Sequence, residues 1–348
     1  MSVLPAHEVG LVLDGKAYLG WTAVSIERSL DNMVGSFSLA LAAKEKTGAE
    51  DWPIKGGDAC QIVLNGETLI TGYVDAVQRR LAGDDRGISV RGRDKAADLI
   101  DCSAIHKPGS WSNQKLEAIA KVLAAPFGIT IDVSGSTGAA FKKFALQQGE
   151  TVFAAIERMA RYRGLVVYSP GDGSVRIGPA DRGERTGQIT EGVNVKSAEG
   201  TDDVSERFSE YLVKGQAAGD DQRHGKVVSQ VKGTATDSGV TRHRPLLLIG
   251  EEQSDTASLK KRAAWEAAVR SGKGKPLDVE VPGWLTDAGK VWSPGARAAC
   301  DIPSCKVSGD LLVQSVTLAR NETDGTVTSM TLVPPEAWSQ LAEPEEKV

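Results

Sequence analysis

Aromatic side chains make up only 5% of this 348-residue sequence, and its tryptophans, Trp21, Trp52, Trp111, Trp265, Trp284, Trp292 and Trp338, are scattered rather than clustered. That scatter disfavours a glycan-binding face of exposed rings and points to packing in cores or interfaces. Long apolar runs are missing too: stretches such as PLLLIG at Pro245 fall far short of the roughly 20 residues a membrane span needs. The opening MSVLPAHEVG has neither a basic nor an apolar leader region, so the chain is expected to be made and kept in the cytosol unless other machinery carries it out. Basic excess is absent, with 41 Lys and Arg against 46 Asp and Glu and a net charge of -5. Nucleic acid is therefore disfavoured as a tightly held ligand, because gripping phosphates needs clustered cations. The short clusters RYR at Arg161, RHR at Arg242 and KKR at Lys260 read as solvated faces.

Cysteine is scarce. Cys60, Cys102, Cys300 and Cys305 show no CxxC spacing and read as buried free thiols. His7, His106, His224 and His243 are dispersed, which leaves no three-ligand metal pattern. No GxSxG, HExxH or GxxxxGK[ST] motif occurs; GDGSVRIG runs into a strand, and SGKGK at Ser271 reads as a helix stop and loop. No cofactor, metal or catalytic residue is assigned.

What is present is strand signal and glycine, 38 residues of it. A chain of this length suggests two to four domains. Up to Val90, GSFSLAL alternates apolar with small residues, and ACQIVLNGETLITGYVDAV reads as two strands joined at Asn65-Gly66. Beyond Arg93 the period becomes helical. Leu116, Ile119, Ala120 and Leu123 share one face, with Ser112 as the expected N-cap and Trp111 with Leu116 as a hydrophobic staple. A second helix is expected from Thr151 to Arg163, stopped by Gly164, followed by a hairpin in GLVVYSPGDGSVRIG. PADRGERTGQITEG reads as a linker or long loop. Strands return in FSEYLVKG, KVVSQVKGTATD, RHRPLLLIG and PLDVEVPG, interrupted by a helix over about 255–271, and a last hairpin turns near Asp324-Gly325. The expected fold is α+β, mainly β: a first β-barrel over 1–93, an α+β domain over 94–180, and a second β-barrel over 181–348 that carries the helical insertion.

The two β regions share a pattern. WPIKGGDACQIVLNGETLITG from Trp52 and WSPGARAACDIPSCKVSGDLLVQS from Trp292 both run Trp, Pro and Gly, then a small-Cys-polar-Ile strand, then Gly, an acid and Leu. A duplication of one barrel unit would produce this. Between the β regions stands RGRDKAADLIDCSA. On a continuous helix Asp94, Asp98 and Asp101 would share one face, and Arg91 and Arg93 stand ready to pair with them. The reading is a structural joint in which Asp94 caps a short helix and Ala97, Leu99 and Ile100 dock; a catalytic carboxylate cluster is the alternative.

RGRDKAADLIDCSA, GETVFAAIERMARYRGLVVYSPGDGSVRIG and the closing VWSPGARAACDIPSCKVSGDLLVQSVTLARNETDGTVTSMTLVPPEAW together resemble the baseplate hub proteins of Mu-like contractile-tailed phages, relatives of the late control D and VgrG hub proteins. The resemblance runs in order from about Val24 to Trp338, while 185–255 lies outside the quoted motifs. It implies a virion structural protein rather than an enzyme: a homotrimer whose paired barrels make a pseudo-six-fold ring. That ring would join the tail tube or a tube-initiator protein to a three-fold central spike protein, with an axial channel through which DNA passes unbound. The repeated Cys-Ile-Gly-Leu pattern is what a trimer needs to present six similar units. A cell-wall hydrolase of the tail tip and a carbohydrate-binding adhesion protein are the competing functions.

Overall fold

Period-two alternation builds most of the molecule, and the computed structural model describes it for residues 7–43, 52–82, 85–216, 231–253 and 256–339. His224, the beginning of the KVVSQVKGTATD strand and Asp255 lie outside the described residues. The architecture is α+β and mostly β, and its largest sheet has 13 strands.

The first unit comprises β1 (Val9–Leu13), β2 (Lys16–Tyr18), β3 (Ala23–Ser29), β4 (Ser36–Ala43), β5 (Ala59–Leu64), β6 (Glu67–Ala82) and β7 (Asp85–Asp94). Asn65 and Gly66, at φ 50° and 79°, make the tight turn between β5 and β6, the conformation that Asn-Gly favours. A middle segment follows: α1 (Ala97–Asp101), β8 (Ser110–Gln114), α2 (Leu116–Ala124), β9 (Ile131–Val133), β10 (Phe141–Ala145), α3 (Val152–Tyr162), β11 (Val166–Tyr168) and β12 (Val175–Gly178). Its own core contains Leu99, Leu116, Ile119, Leu123, Val152, Ile156, Met159, Val175 and Ile177.

The second unit begins with β13 (Arg185–Thr190) and β14 (Ser197–Gly200). An excursion then carries β15 (Glu210–Gln216), β16 (Val231–Thr236), β17 (Pro245–Gln253) and α4 (Thr256–Lys273). These make a separate three-stranded sheet with a small core of Tyr211, Val213, Leu259, Ala263 and Ala267. β18 (Leu277–Pro282), β19 (Arg297–Ile302), β20 (Val307–Asn321) and β21 (Gly325–Val333) complete the unit.

The two units repeat one strand order. The first reads β3-β4-β7-β6-β5-β1; the second reads β14-β18-β21-β20-β19-β13. The repeat extends to a bulge. Val74 donates its N–H to the Asp58 carbonyl and accepts from Gly57 N–H, and the register then slips at Asp75. Val313 bonds Ala296 and Gly295 in the same way before a slip at Gln314. One relation differs, since β1 pairs antiparallel with β5 whereas β13 runs parallel to β19. The link from β3 to β4 spans 30–35, and its counterpart from β14 to β18 spans 201–276 and holds the whole excursion.

The units are fused by antiparallel pairing of β3 with β20. One core runs across that seam, including Val24, Ile26, Leu39, Ile62, Val90, Val279, Val316, Leu318 and Met330. Pairings among the described residues leave the sheet open along this path rather than closing either unit on itself.

Several local expectations are corrected. The 94–101 acids do not share a helical face, because Asp94 ends β7 and α1 begins at Ala97. Ser112 lies in β8, opposite Lys143, and α2 starts after Lys115 with no side-chain cap. Trp111 accordingly packs into the middle core from a strand, not as a helix staple. PADRGERTGQITEG contains β13, whose buried Ile189 joins the main core. The thiols are free, but only Cys60 and Cys300 are buried; Cys102 is exposed and Cys305 half-buried. The repeated cysteines are not equivalent either. Matching Gly57 to Gly295 puts Cys60 where Ala298 stands, a two-residue offset that leaves inward and outward faces unchanged.

Candidate functional site at the joint of three segments

Asp94 is the last residue of β7, and the chain turns away from the sheet immediately after it. Its backbone N–H donates to Gly35 O (2.9 Å), and Lys95 N–H donates to Thr71 O (2.9 Å). The side chain is 1% exposed. Ala96 N–H donates to Oδ1 (2.8 Å) and Ser169 Oγ donates to Oδ2 (2.8 Å). Asp94 therefore fastens the turn into α1 from two residues ahead of it and reaches across to the loop between β11 and β12. Burial pushes its pKa up to about 6, against the opposing pull of these two hydrogen bonds and of Arg28.

That loop is seated closely on the first unit. Ser169 N–H donates to Met33 O (2.9 Å), and Arg28 Nη2 donates to Pro170 O (2.8 Å). Gly171 has φ +96°, and a Cβ there would stand 2.0 Å from Leu69 O, so only glycine fits. From the second unit, Arg182 donates to Ser293 Oγ (3.0 Å) and Pro294 O (2.6 Å). Arg28 and Arg182 share a wall, and burial together with this like charge lowers the Arg28 pKa. The space enclosed by Arg28, Asp94, Ser169, Arg182 and Pro294 is about 20 Å³, room for one water molecule. A substrate does not fit.

Around this buried centre the other joint residues are wetter. Arg93 donates from Nε to Asp75 Oδ2 (2.8 Å) and from Nη2 to Asp101 Oδ2 (2.8 Å), tying the β6 bulge to α1. The Arg93 bond holds the Asp101 carboxyl below its ordinary range. Asp98 is half-buried on α1, and Arg91 points outward from β7 opposite Ser38. The structure thus brings Arg93 and Asp101 together, buries Asp94 separately, and leaves Arg91 on the outer face. Arg28, Ser169, Gly171 and Arg182 escaped the sequence reading, because their separation along the chain hides their contact; the Pro-Gly-Asp-Gly turn was the one visible signal.

Comparison with known proteins identifies the fold and its setting. The chain is 35% identical over 351 residues to the baseplate hub protein gp44 of Escherichia phage Mu, covering 98% of this chain and 92% of that protein. It belongs to the family of Mu-like baseplate hub proteins. Family models match in segments: the N-terminal part of Mu phage baseplate assembly protein GpP-like over 8–94, the second domain of baseplate hub protein gp44-like over 96–179, the third domain of tail protein NMB1110-like over 207–264, and the fourth domain of GpP over 255–341. The crystal structure of a 43 kDa tail protein from prophage MuSo2 of Shewanella oneidensis matches with a TM-score of 0.84 at 33% identity, covering 96% of this chain and 100% of that one. A Neisseria meningitidis tail protein shares the fold, with a TM-score of 0.79 at 24% identity over 96% and 98% of the two chains. So does the Escherichia coli c3393 protein, a type VI secretion component, with a TM-score of 0.57 at 10% identity over 96% and 79%. Members of this hub family are phage tail proteins, and the structural role in the tail extends to this chain. No helix among the described residues is long and apolar enough to cross a membrane.

Proposed function

We propose that this hub protein assembles as a homotrimer in which each copy supplies two similar barrel-like units, about 1–93 and 181–348, to a ring of six. The ring joins the six-fold tail tube, or a tube-initiator protein, to a three-fold central spike protein and leaves an axial channel for DNA. The observation that carries this reading is the repeated strand order with its matching valine-bulge hydrogen bonds, because duplicated units in one chain let three copies present six-fold symmetry. The net charge of -5 suits a channel in which DNA slides without being gripped.

In this reading the 94–180 segment is a separate α+β domain, and Arg91, Arg93, Asp94, Asp98 and Asp101 act as a structural joint that fixes its angle to the barrels. The role in this reading is mechanical, with no cofactor and no catalysis, and the joint supports it in that its buried carboxylate faces room for one water and accepts a hydrogen bond on each oxygen. The chain is made in the host cytoplasm and resides in the baseplate of the virion tail. Absolute mass by size-exclusion chromatography with light scattering tests the ring: three times 36.8 kDa is expected, and a monomer at every concentration would count against it. Soluble fragments released from purified peptidoglycan would overturn the non-enzymatic part.

A further inference from the structure

Within one chain, β20 is paired on both sides past its bulge. β21 lies along one side and β3 along the other, with Ser315 opposite Ser29, Leu318 opposite Ile26 and Arg320 opposite Val24. Among the described residues, its counterpart β6 is paired on one side only past the bulge at Asp75. β7 lies along Ala76–Ala82, while β5 pairing stops at Tyr73. This open stretch is exposed from Gln78 to Ala82, and Leu81 is 68% exposed. The counterpart of β3 is β14, which among the described residues pairs only with β18. Among the described residues the first unit thus leaves one edge open and the second leaves another, and the two open edges are the counterparts of the two strands that already pair inside the chain.

We propose that β14 of one copy pairs antiparallel with the open stretch of β6 in the next copy, repeating between chains the β3–β20 seam found within each chain. The inference rests on the trimer reading above and names its interface. Register follows from the correspondence: Ser25 matches Glu199 and Ala319 matches Arg80, so Arg80 stands directly opposite Glu199. Leu81 falls opposite Ala198, and Gln78 opposite Thr201. The backbone is ready for this pairing. Thr201 and Asp203 already direct their N–H groups to Pro276 and Gly274, so the alternation of an antiparallel strand turns Ala198, Gly200 and Asp202 toward the open side.

Charge supports the same register. Glu199 lies directly across from Asp278 on β18, a like-charge pair that is unfavourable on a sheet face. The corresponding pair on β3 and β4 is Ser25 with Ser38, which needs no cation. Arg80, on the outer face of β6, would supply one to Glu199 and Asp278, while Arg79 beside it stays bonded to the Trp52 and Ile54 carbonyls of its own chain. Leu81 would be covered as Arg320 is at the inner seam. Three repeats of this contact, alternating with three internal seams, close a ring of six units.

Cross-linking and charge reversal test the pairing. Gln78→Cys with Thr201→Cys, in a background carrying Cys102→Ser and Cys305→Ser, places the two thiols on a non-hydrogen-bonded pair with Cα atoms about 4.5 Å apart, within disulfide reach. Mild oxidation is expected to yield a covalent trimer on a denaturing gel only when both cysteines are present. Arg80→Glu alone and Glu199→Arg alone should each raise the concentration for half-assembly by about tenfold, and combining them in one chain should restore it. A trimeric mass with no cross-link and no response to either reversal overturns the pairing while the ring survives. A monomer at every concentration with no cross-link overturns both.

Discussion

Sealed among three segments of chain, the Asp94 carboxyl is a cost to the fold when ionised. Its pKa rises from 3.8 to about 6 because burial outweighs the hydrogen bonds from Ala96 and Ser169. For an acid whose folded pKa lies above the unfolded one, the penalty is fully present above the folded pKa and disappears as pH falls below the unfolded one. This group therefore penalises the folded state less at pH 5 than at pH 7, the whole penalty being bounded at about 3 kcal/mol for a shift near two units. Asp94→Asn keeps both contacts, since the amide oxygen accepts from Ala96 and the amide nitrogen donates to Ser169 Oγ. It should equal or exceed the parent in stability at pH 7, with an advantage that shrinks at pH 5 and is gone only below the unfolded value of 3.8. Denaturant unfolding of both proteins at the two pH values checks this; a difference unchanged between them would reject the buried-charge account.

Among the elements, what was legible depended on how local the determinant is. Asn65-Gly66 and the Thr151 cap are written within a few residues, and the structure has the tight turn and a Thr151 Oγ1 that accepts from Ala154 N–H (3.2 Å). The helical face of Leu116, Ile119, Ala120 and Leu123 is likewise visible from spacing, and all four are buried. The start of α2 was misplaced because Ser112 is a good capping residue in the wrong conformation, held in β8 by its pairing with β10. β13 was invisible because Ile189 is its one buried apolar residue, and its partner β19 is more than a hundred residues away. The joint is harder still, since Arg28, Asp94, Ser169 and Arg182 meet only after three segments have folded. Capping energetics separate the two serine and threonine sites: Thr151→Ala should cost about 1 kcal/mol, and Ser112→Ala, exposed on its strand, should stay within about 0.5 kcal/mol. Chemical denaturation of the two variants distinguishes them, and equal losses would contradict the observed cap.

For the whole molecule, the internal seam and the proposed seam between copies differ in what holds them. Across β3 and β20, Ile26 and Leu318 meet in a buried core that is continuous with both units. Between copies, the corresponding positions are Gly200 and Arg79, and the strongest complementarity is between Arg80 and the acids Glu199 and Asp278, all near solvent. Salt screens exposed charges over about 10 Å at 0.1 M and about 3 Å at 1 M, and it weakens apolar burial little. Raising salt from 0.1 to 1 M should therefore shift the ring toward monomers while each monomer stays folded, because its own seam is apolar. Light scattering follows the mass, and circular dichroism with tryptophan fluorescence follows the fold, reported in part by buried Trp21, Trp284 and Trp292. Loss of mass with both spectra unchanged is the expected outcome. A ring that tightens with salt would mean that apolar contacts such as Leu81 against Ala198 dominate the joint between copies, and the charge argument for its register would then fail.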